Sequence, residues 1–223
     1  MATRIIVSYD GTDNDRDALA FGRLLGQAGA SLELAYVRHA QESEGARERL
    51  AENDATALLD EGATSLGEDV QRHVVMSGST PEGLRDLALR IDAGMIVFGS
   101  EYRTAKGHVD PQASARRLIE GGPVAVGLAP AGFYEVDGYS VTTIGAASAG
   151  GDPSVHETAE SLARSLGANL AQRATSKVDL MVVGSRAGTA TGRVALSGAA
   201  EYLIELALCP VVVLPRGVAL TFG

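Results

Sequence analysis

The stretch from Leu180 to Pro215 limits what this chain can fold into more than any other. Leu180 to Val183 is a short unbroken apolar run, the pattern of a strand buried on both faces of a parallel sheet. The run breaks at Gly184-Ser185, and a loop with glycines at 184, 188 and 192 follows. Gly198-Ala199 leads into a helical spacing carried by Leu203, Leu206 and Ala207, which Pro210 stops. Val211 to Leu214 then reads as a second buried strand. The order is strand, glycine loop, helix, strand. Such a loop suits an anion, because bare glycine backbone lets a phosphate approach and the free N–H groups at a helix start point toward it. Arg186 and Arg193 add positive charge nearby. The other reading is a structural turn without a ligand, and the residues alone leave both open. The spacing is neither a Walker loop, which needs Gly-Lys-Ser/Thr, nor Gly-x-Gly-x-x-Gly.

A worn copy of the pattern occurs earlier. Met95 to Phe98 with Gly99-Ser100 is the strand and its break, and Gly122-Pro123 opens the closing strand, which ends at Leu128. Matching Pro123 with Pro210 makes this an internal repeat, and the repeat divides the chain into 1–131, a linker at 132–139 and 140–223. In the first part, strands are expected at 5–7, 32–37, 70–76, 95–98 and 123–128. Helices are expected from Ala18 to Gly29, over 46–66 with apolar positions that include Leu50 and Ala51, and after Thr80, an N-cap followed by Pro81. The second part has a strand at 141–147 and a helix over 155–166, but about a strand, a helix and another strand of its middle are absent. The fold class is therefore α/β, with two tandem Rossmann-like or flavodoxin-like parallel sheets, the second truncated internally. Ligands of such sheets bind beyond the strand carboxyl ends, where Asp10, Val37 and Gly99 all fall. The apolar closing strands, 124–128 and 211–214, are edge liabilities unless covered, and pairing with each other within the chain is the favoured arrangement.

Charge and composition narrow the function. With 28 acids against 19 bases, the net charge of −9 argues against a nucleic-acid or anionic membrane surface. No apolar run reaches a membrane span, and the start of the chain has no signal-peptide pattern, so a cytoplasmic protein is expected. The single cysteine, Cys209, reads as a small buried residue. Four scattered histidines lack metal-ligand spacing. The acids Asp10, Asp13, Asp15 and Asp17 could hold Mg²⁺, or could cap a helix and complement its dipole. No nucleophile elbow is present, and nothing specifies an enzyme. The Ala/Gly/Arg-rich composition hints at a GC-rich bacterium.

Four features together resemble the universal stress protein family in its tandem two-domain form: Ile5 to Thr12, Gly78 to Glu82 before a helix, Gly184-Ser185-Arg186 with its loop, and Cys209 to Val213. The resemblance spans nearly the whole chain apart from the linker and the missing middle. It implies an adenine nucleotide (ATP or AMP, with Mg²⁺ as a possible companion) bound by a sensor. Phosphates and ribose would lie on a Gly-x2-Gly-x9-Gly-(Ser/Thr) loop, with the adenosine part held by an Asp after the first strand and a Val ending the second. Asp10, Val37 and Gly99 match in the first part, but Glu101 and Tyr102 follow, Gln112-Ala113-Ser114 stands at the final glycine pair, and Asp110 would repel phosphate. Gly184, Ser185, Arg186, Gly188, Ser197 and Gly198 match in the second, with a one-residue shift and Ser-Gly for Gly-Ser; Ala149 stands at the Asp position, and the strand bearing the Val is absent. Each part thus keeps a different piece of one site. The implied chemistry is at most weak ATP hydrolysis or self-phosphorylation at Ser185 or Ser197. The implied assembly is an intrachain pseudo-dimer, with a homodimer possible. The alternative function is an interaction module without nucleotide.

Overall fold

The computed structural model describes residues 2–39, 46–67, 69–148, 150–171 and 177–223, with residues 46–53 described by backbone alone. Leu50 and Ala51 fall among those last, and Ala149 lies outside the described residues. The first half runs β1 (Arg4–Ser8), α1 (Asp15–Gln27), β2 (Ser31–His39), α2 (Ala46–Leu66), β3 (Gln71–Ser77), α3 (Thr80–Ile91), β4 (Met95–Phe98), α4 (Ala113–Ile119) and β5 (Ala125–Leu128). The second half has β6 (Thr143–Ala147), α5 (Pro153–Leu166), β7 (Asn169–Leu170), β8 (Leu180–Gly184), α6 (Gly198–Glu205) and β9 (Val211–Leu214). The N-cap of α3 is Ser79, one residue before the expected Thr80.

The two parallel sheets join edge to edge into one through the favoured pairing of the closing strands. Nine strands run in the order β3-β2-β1-β4-β5-β9-β8-β6-β7. Within each half neighbours are parallel, and the halves join through an antiparallel β5–β9 pair. In that pair Val126 faces Val213, Gly127 faces Val212 and Leu128 faces Val211. Both strands are fully buried, as two apolar edges should be when each covers the other. Gly127 also pairs with Val97, and Val212 with Val182, so Gly127 and Val212 hold the same place in their halves. Pro123 therefore matches Leu208, not Pro210: the sequence match was two residues out, because it aligned prolines that stop different segments.

Helices cover both faces. Phe21, Leu25, Leu59, Val155 and Leu162 from α1, α2 and α5 build one core; Leu84, Leu87, Leu118, Ile204 and the strand residues Ile96 and Val183 belong to the other. The missing middle of the second half leaves a remnant. β7 pairs with β6 at Thr143–Asn169 as β2 pairs with β1 at Arg4–Ser31, so two residues of the second strand survive where none was expected. The position corresponding to Val37 falls in 172–176, outside the described residues.

Each half also reaches across to the other. After β5, Phe133 stacks edge-on against Phe21 and Tyr139, and the Tyr139 hydroxyl donates to the Asp179 carbonyl of the second half at 2.6 Å. After β9, the tail returns to the first half, where Thr3 N–H donates to Thr221 at 2.9 Å. The tail's Leu220 and Phe222 amides donate to the Thr158 and Ser161 hydroxyls of α5 at 2.9 and 2.8 Å. Phe222 is buried in the core shared by α1 and α5. Phe222→Ala should therefore cost about 3 kcal/mol and lower the urea midpoint while unfolding, followed by circular dichroism, stays a single transition. Two separate transitions in the unmutated chain would show that the tail does not couple the halves.

Candidate functional site

In an open α/β sheet, ligands approach the strand carboxyl ends. Antiparallel joining of the halves puts those ends on opposite edges of the sheet: β1, β2 and β4 finish on one, β6 and β8 on the other. Asp10, Val37 and Gly99 gather on the first edge, and Gly184, Ser185, Arg186, Gly188, Ser197 and Gly198 on the second. Within one chain the two sets of expected residues therefore cannot combine into a single site.

On the first edge, Gly99 is required by contact. A Cβ there would stand 2.0 Å from the Asn14 carbonyl oxygen at the start of α1. Val37 is buried against α3, where a Cβ on Gly83 would come within 2.9 Å of its Cγ1. Asp10 is exposed, and its backbone N–H donates to Asp15 Oδ2 at 2.6 Å. Thr12 N–H reaches the same oxygen at 3.3 Å and Asp10 Oδ1 at 3.1 Å. Asp15 is only 3% exposed. Burial, with the Asp10 carboxylate beside it, pushes its acid up to about 8. Asp17 is buried too and is raised by that burial, although its carboxylate accepts the Gly132 and Tyr134 amides at 2.9 and 3.0 Å. These acids thus tie loops together rather than cap α1, whose N-cap, Asn14, makes no side-chain cap hydrogen bond. Among the described residues, no group of three or more His, Cys, Asp or Glu could hold a metal ion.

The loops after β4 and β8 have the same skeleton, each residue of one standing 85 positions before its counterpart (Ser100 and Ser185). Ser100 Oγ donates to Ala129 O at 2.6 Å and accepts Asp110 N–H at 3.2 Å; Ser185 Oγ donates to Leu214 O at 2.7 Å and accepts Ala195 N–H at 3.1 Å. Gly107 and Gly192, both left-handed, donate to Ala131 and Arg216. Gly132 and Gly217 each donate to an aspartate, Asp17 and Asp152 respectively. Neither aspartate is recognisable from sequence spacing, because the turn before α5 is shorter than the turn before α1.

The side chains differ. The first loop carries Glu101, an Asp110–Arg116 ion pair, and Tyr102 under the Arg103 guanidinium at 5.0 Å. The second loop has no acid from Ser185 to Ala200. Gly184 packs on α5, where a Cβ would lie 2.4 Å from Val155 Cγ2. Ser185 is fully buried and its hydroxyl is engaged within the chain, so it is not accessible to accept a phosphoryl group. Arg186 is exposed and has no ion pair among the described residues. Gly188 is exposed and left-handed at φ +83°. Ser197 caps α6, its Oγ accepting Ala200 N–H at 3.2 Å, and Gly198 opens the helix with free space around it. Arg193 is turned away, donating to the Gly121 carbonyl of the first half at 3.2 Å.

The model of the universal stress protein family matches residues 1–123. The chain belongs to that family. Its fold extends over the part the family model leaves unmatched. A universal stress protein from Archaeoglobus fulgidus DSM 4304 superposes with a TM-score of 0.71 at 13% identity, covering 96% of this chain and 98% of its own. A protein of unknown function from Pseudomonas aeruginosa PAO1 gives 0.63 at 14% identity, over 97% and 93%. No curated protein sequence matches. At such identities the likeness concerns the fold alone. Among the described residues no helix is long and apolar enough to cross a membrane.

The raised acid gives a signed prediction. Unfolded, Asp15 releases its proton near its ordinary value of 3.8; folded, it holds it to about 8. Its contribution to stability is therefore full below the lower value and is lost as pH rises through the upper one. In Asp15→Asn the amide oxygen still accepts the Asp10 N–H and nothing titrates. Its Tm should exceed that of the unmutated chain by on the order of 5 °C at pH 8, with the difference shrinking toward pH 4. A pH-independent difference in differential scanning fluorimetry would refute this.

Proposed function

We propose that this universal stress protein binds an adenine nucleotide, ATP or AMP with or without Mg²⁺, and acts as a cytoplasmic sensor rather than a catalyst. Its phosphates lie against the Gly184–Gly198 loop at the carboxyl end of β8. The observation that carries this reading is the contrast between two loops of one skeleton: the second has shed every acid, exposes the Gly188 backbone and holds an exposed Arg186 with no ion pair among the described residues. A phosphate there meets the Arg186 guanidinium and the first-turn N–H groups of Gly198 and Ala199 on α6, which have no partner among the described residues. Ser185 and Ser197 hold the loop in shape, and Gly184 lets α5 pack close behind it. Asp10, Val37 and Gly99 keep nucleoside-type recognition at the opposite edge, a separate site. The reading divides the chain into 1–131, a linker and 140–223, each unit carrying one edge.

Calorimetric titration with millimolar ATP and Mg²⁺, beside analysis of nucleotide carried through purification, tests this. Gly198→Asp adds a carboxylate where there is room for it, and Arg186→Glu reverses the exposed charge, so both leave the fold intact. Each should weaken binding by about tenfold or more, whereas Asp10→Ala at the far edge should leave it unchanged. Protein that is purified empty and gives no heat with ATP would sink the proposal.

A further inference from the structure

We propose that the outer face of α6 and the turn after it dock a basic amphipathic helix of another protein. The argument begins with the internal correspondence. Tyr202, Leu206 and Leu208 stand where the first half has Arg117, Gly121 and Pro123, by the same correspondence that matches Ser100 with Ser185 and Gly127 with Val212. In the first half those three line the cleft against α3, facing Pro81, Glu82 and Arg85. The second half has no counterpart of α3 among the described residues, and the three residues of that face are exposed. Tyr202 is 59% exposed, Leu206 45% and Leu208 55%. Losing a covering helix should favour polar replacements. Here the uncovered face is the more apolar of the two, an arginine, a glycine and a proline giving way to a tyrosine and two leucines. Exposed apolar side chains clustered beside charge mark an interaction surface.

The first half shows what shape fits: a helix, amphipathic, lying along the groove beside α4 as α3 does, with Leu84, Leu87 and Ala88 turned inward. Charge decides its composition. Glu205, the counterpart of the Glu120 that borders the α3 cleft, has no ion pair among the described residues, and residues 198–209 contain no Lys or Arg; Glu201 lies toward α4, in a cleft that Arg116 also lines. A basic helix complements that rim. A second copy does not, since it would bring Glu205 against its own counterpart in chains of net charge −9. Recognition is of the helix-in-groove kind, with apolar anchors at helical spacing.

The probe is a fluorescein-labelled peptide with the sequence of α3, Thr80 to Ile91, carrying Glu82→Lys and Asp86→Lys, titrated with the full-length chain and read by anisotropy. Saturable binding in the range of about 10–100 μM is expected, weakened about tenfold by Leu206→Lys, reduced by Glu205→Lys and by added salt. Leu89→Lys, at an exposed leucine on α3, should change nothing. Both leucines are exposed, so neither variant threatens the fold. Absence of saturable binding, or binding indifferent to Leu206→Lys, overturns the proposal. So does a dimer in sedimentation that Leu206→Lys splits, which would give the face to a second copy. Nucleotide titration is independent of this readout, so failure of either reading leaves the other standing.

Discussion

Three antiparallel residue pairs, Val126–Val213, Gly127–Val212 and Leu128–Val211, hold the two halves of this molecule in one sheet. A parallel strand with a free edge is a template for aggregation, and each closing strand here covers the edge of the other. The fit is close at the centre: a Cβ on Gly127 would stand 2.9 Å from Val97 Cγ2 and 3.1 Å from Phe21 Cε1, so the midline accepts no side chain there. The same pairing fixes the functional geometry. Antiparallel joining turns the carboxyl ends of the second half away from those of the first. The two sets of residues that the sequence suggests for one nucleotide site are thereby held apart by the strand direction alone.

At each edge a serine performs the local work. Ser100 and Ser185 are 1% and 0% exposed, and each hydroxyl bridges its own loop to the end of the closing strand. A buried hydroxyl that donates once and accepts once is satisfied, and removing it leaves two backbone groups unpaired. The shape of the loop is therefore independent of any ligand. That explains how the first loop can keep the full skeleton while carrying Glu101 and Asp110, residues unsuited to phosphate. Skeleton and binding chemistry are separable in this fold.

The strands were legible in sequence because parallel burial writes itself as apolar runs, as at Met95 to Phe98 and Val211 to Leu214. Gly99 and Gly184 were legible as loop starts, although the reason for each is a steric contact, with Asn14 and Val155, that no spacing reveals. Three things were not legible. The Asp17 and Asp152 ties to Gly132 and Gly217 join residues more than sixty positions apart, across turns of unequal length. The correspondence of Pro123 with Leu208 was hidden by a nearby Pro210. Leu206, read as part of a buried helical face, is exposed, because α6 ends at Glu205 and buries Ala200 and Ile204 instead. Periodicity reports an apolar stripe, and only the covering element decides whether the stripe is core or surface.

That last distinction bears on how the second half survives without its middle. A small unit exposes too much surface per residue to be stable alone. Here the deficit is met by sharing: β9 leans on β5, Tyr139 reaches Asp179 from the linker, and the tail fills the space beside α5 with Leu220 and Phe222 before bonding to Thr3. All of that support reaches the face covered by α5 and the sheet midline. None of it reaches the outer side of α6, where the first half places α3. The abbreviation of the chain thus has a direction. One face was closed by new contacts with the first half, and the other kept an apolar surface with nothing of its own chain described against it.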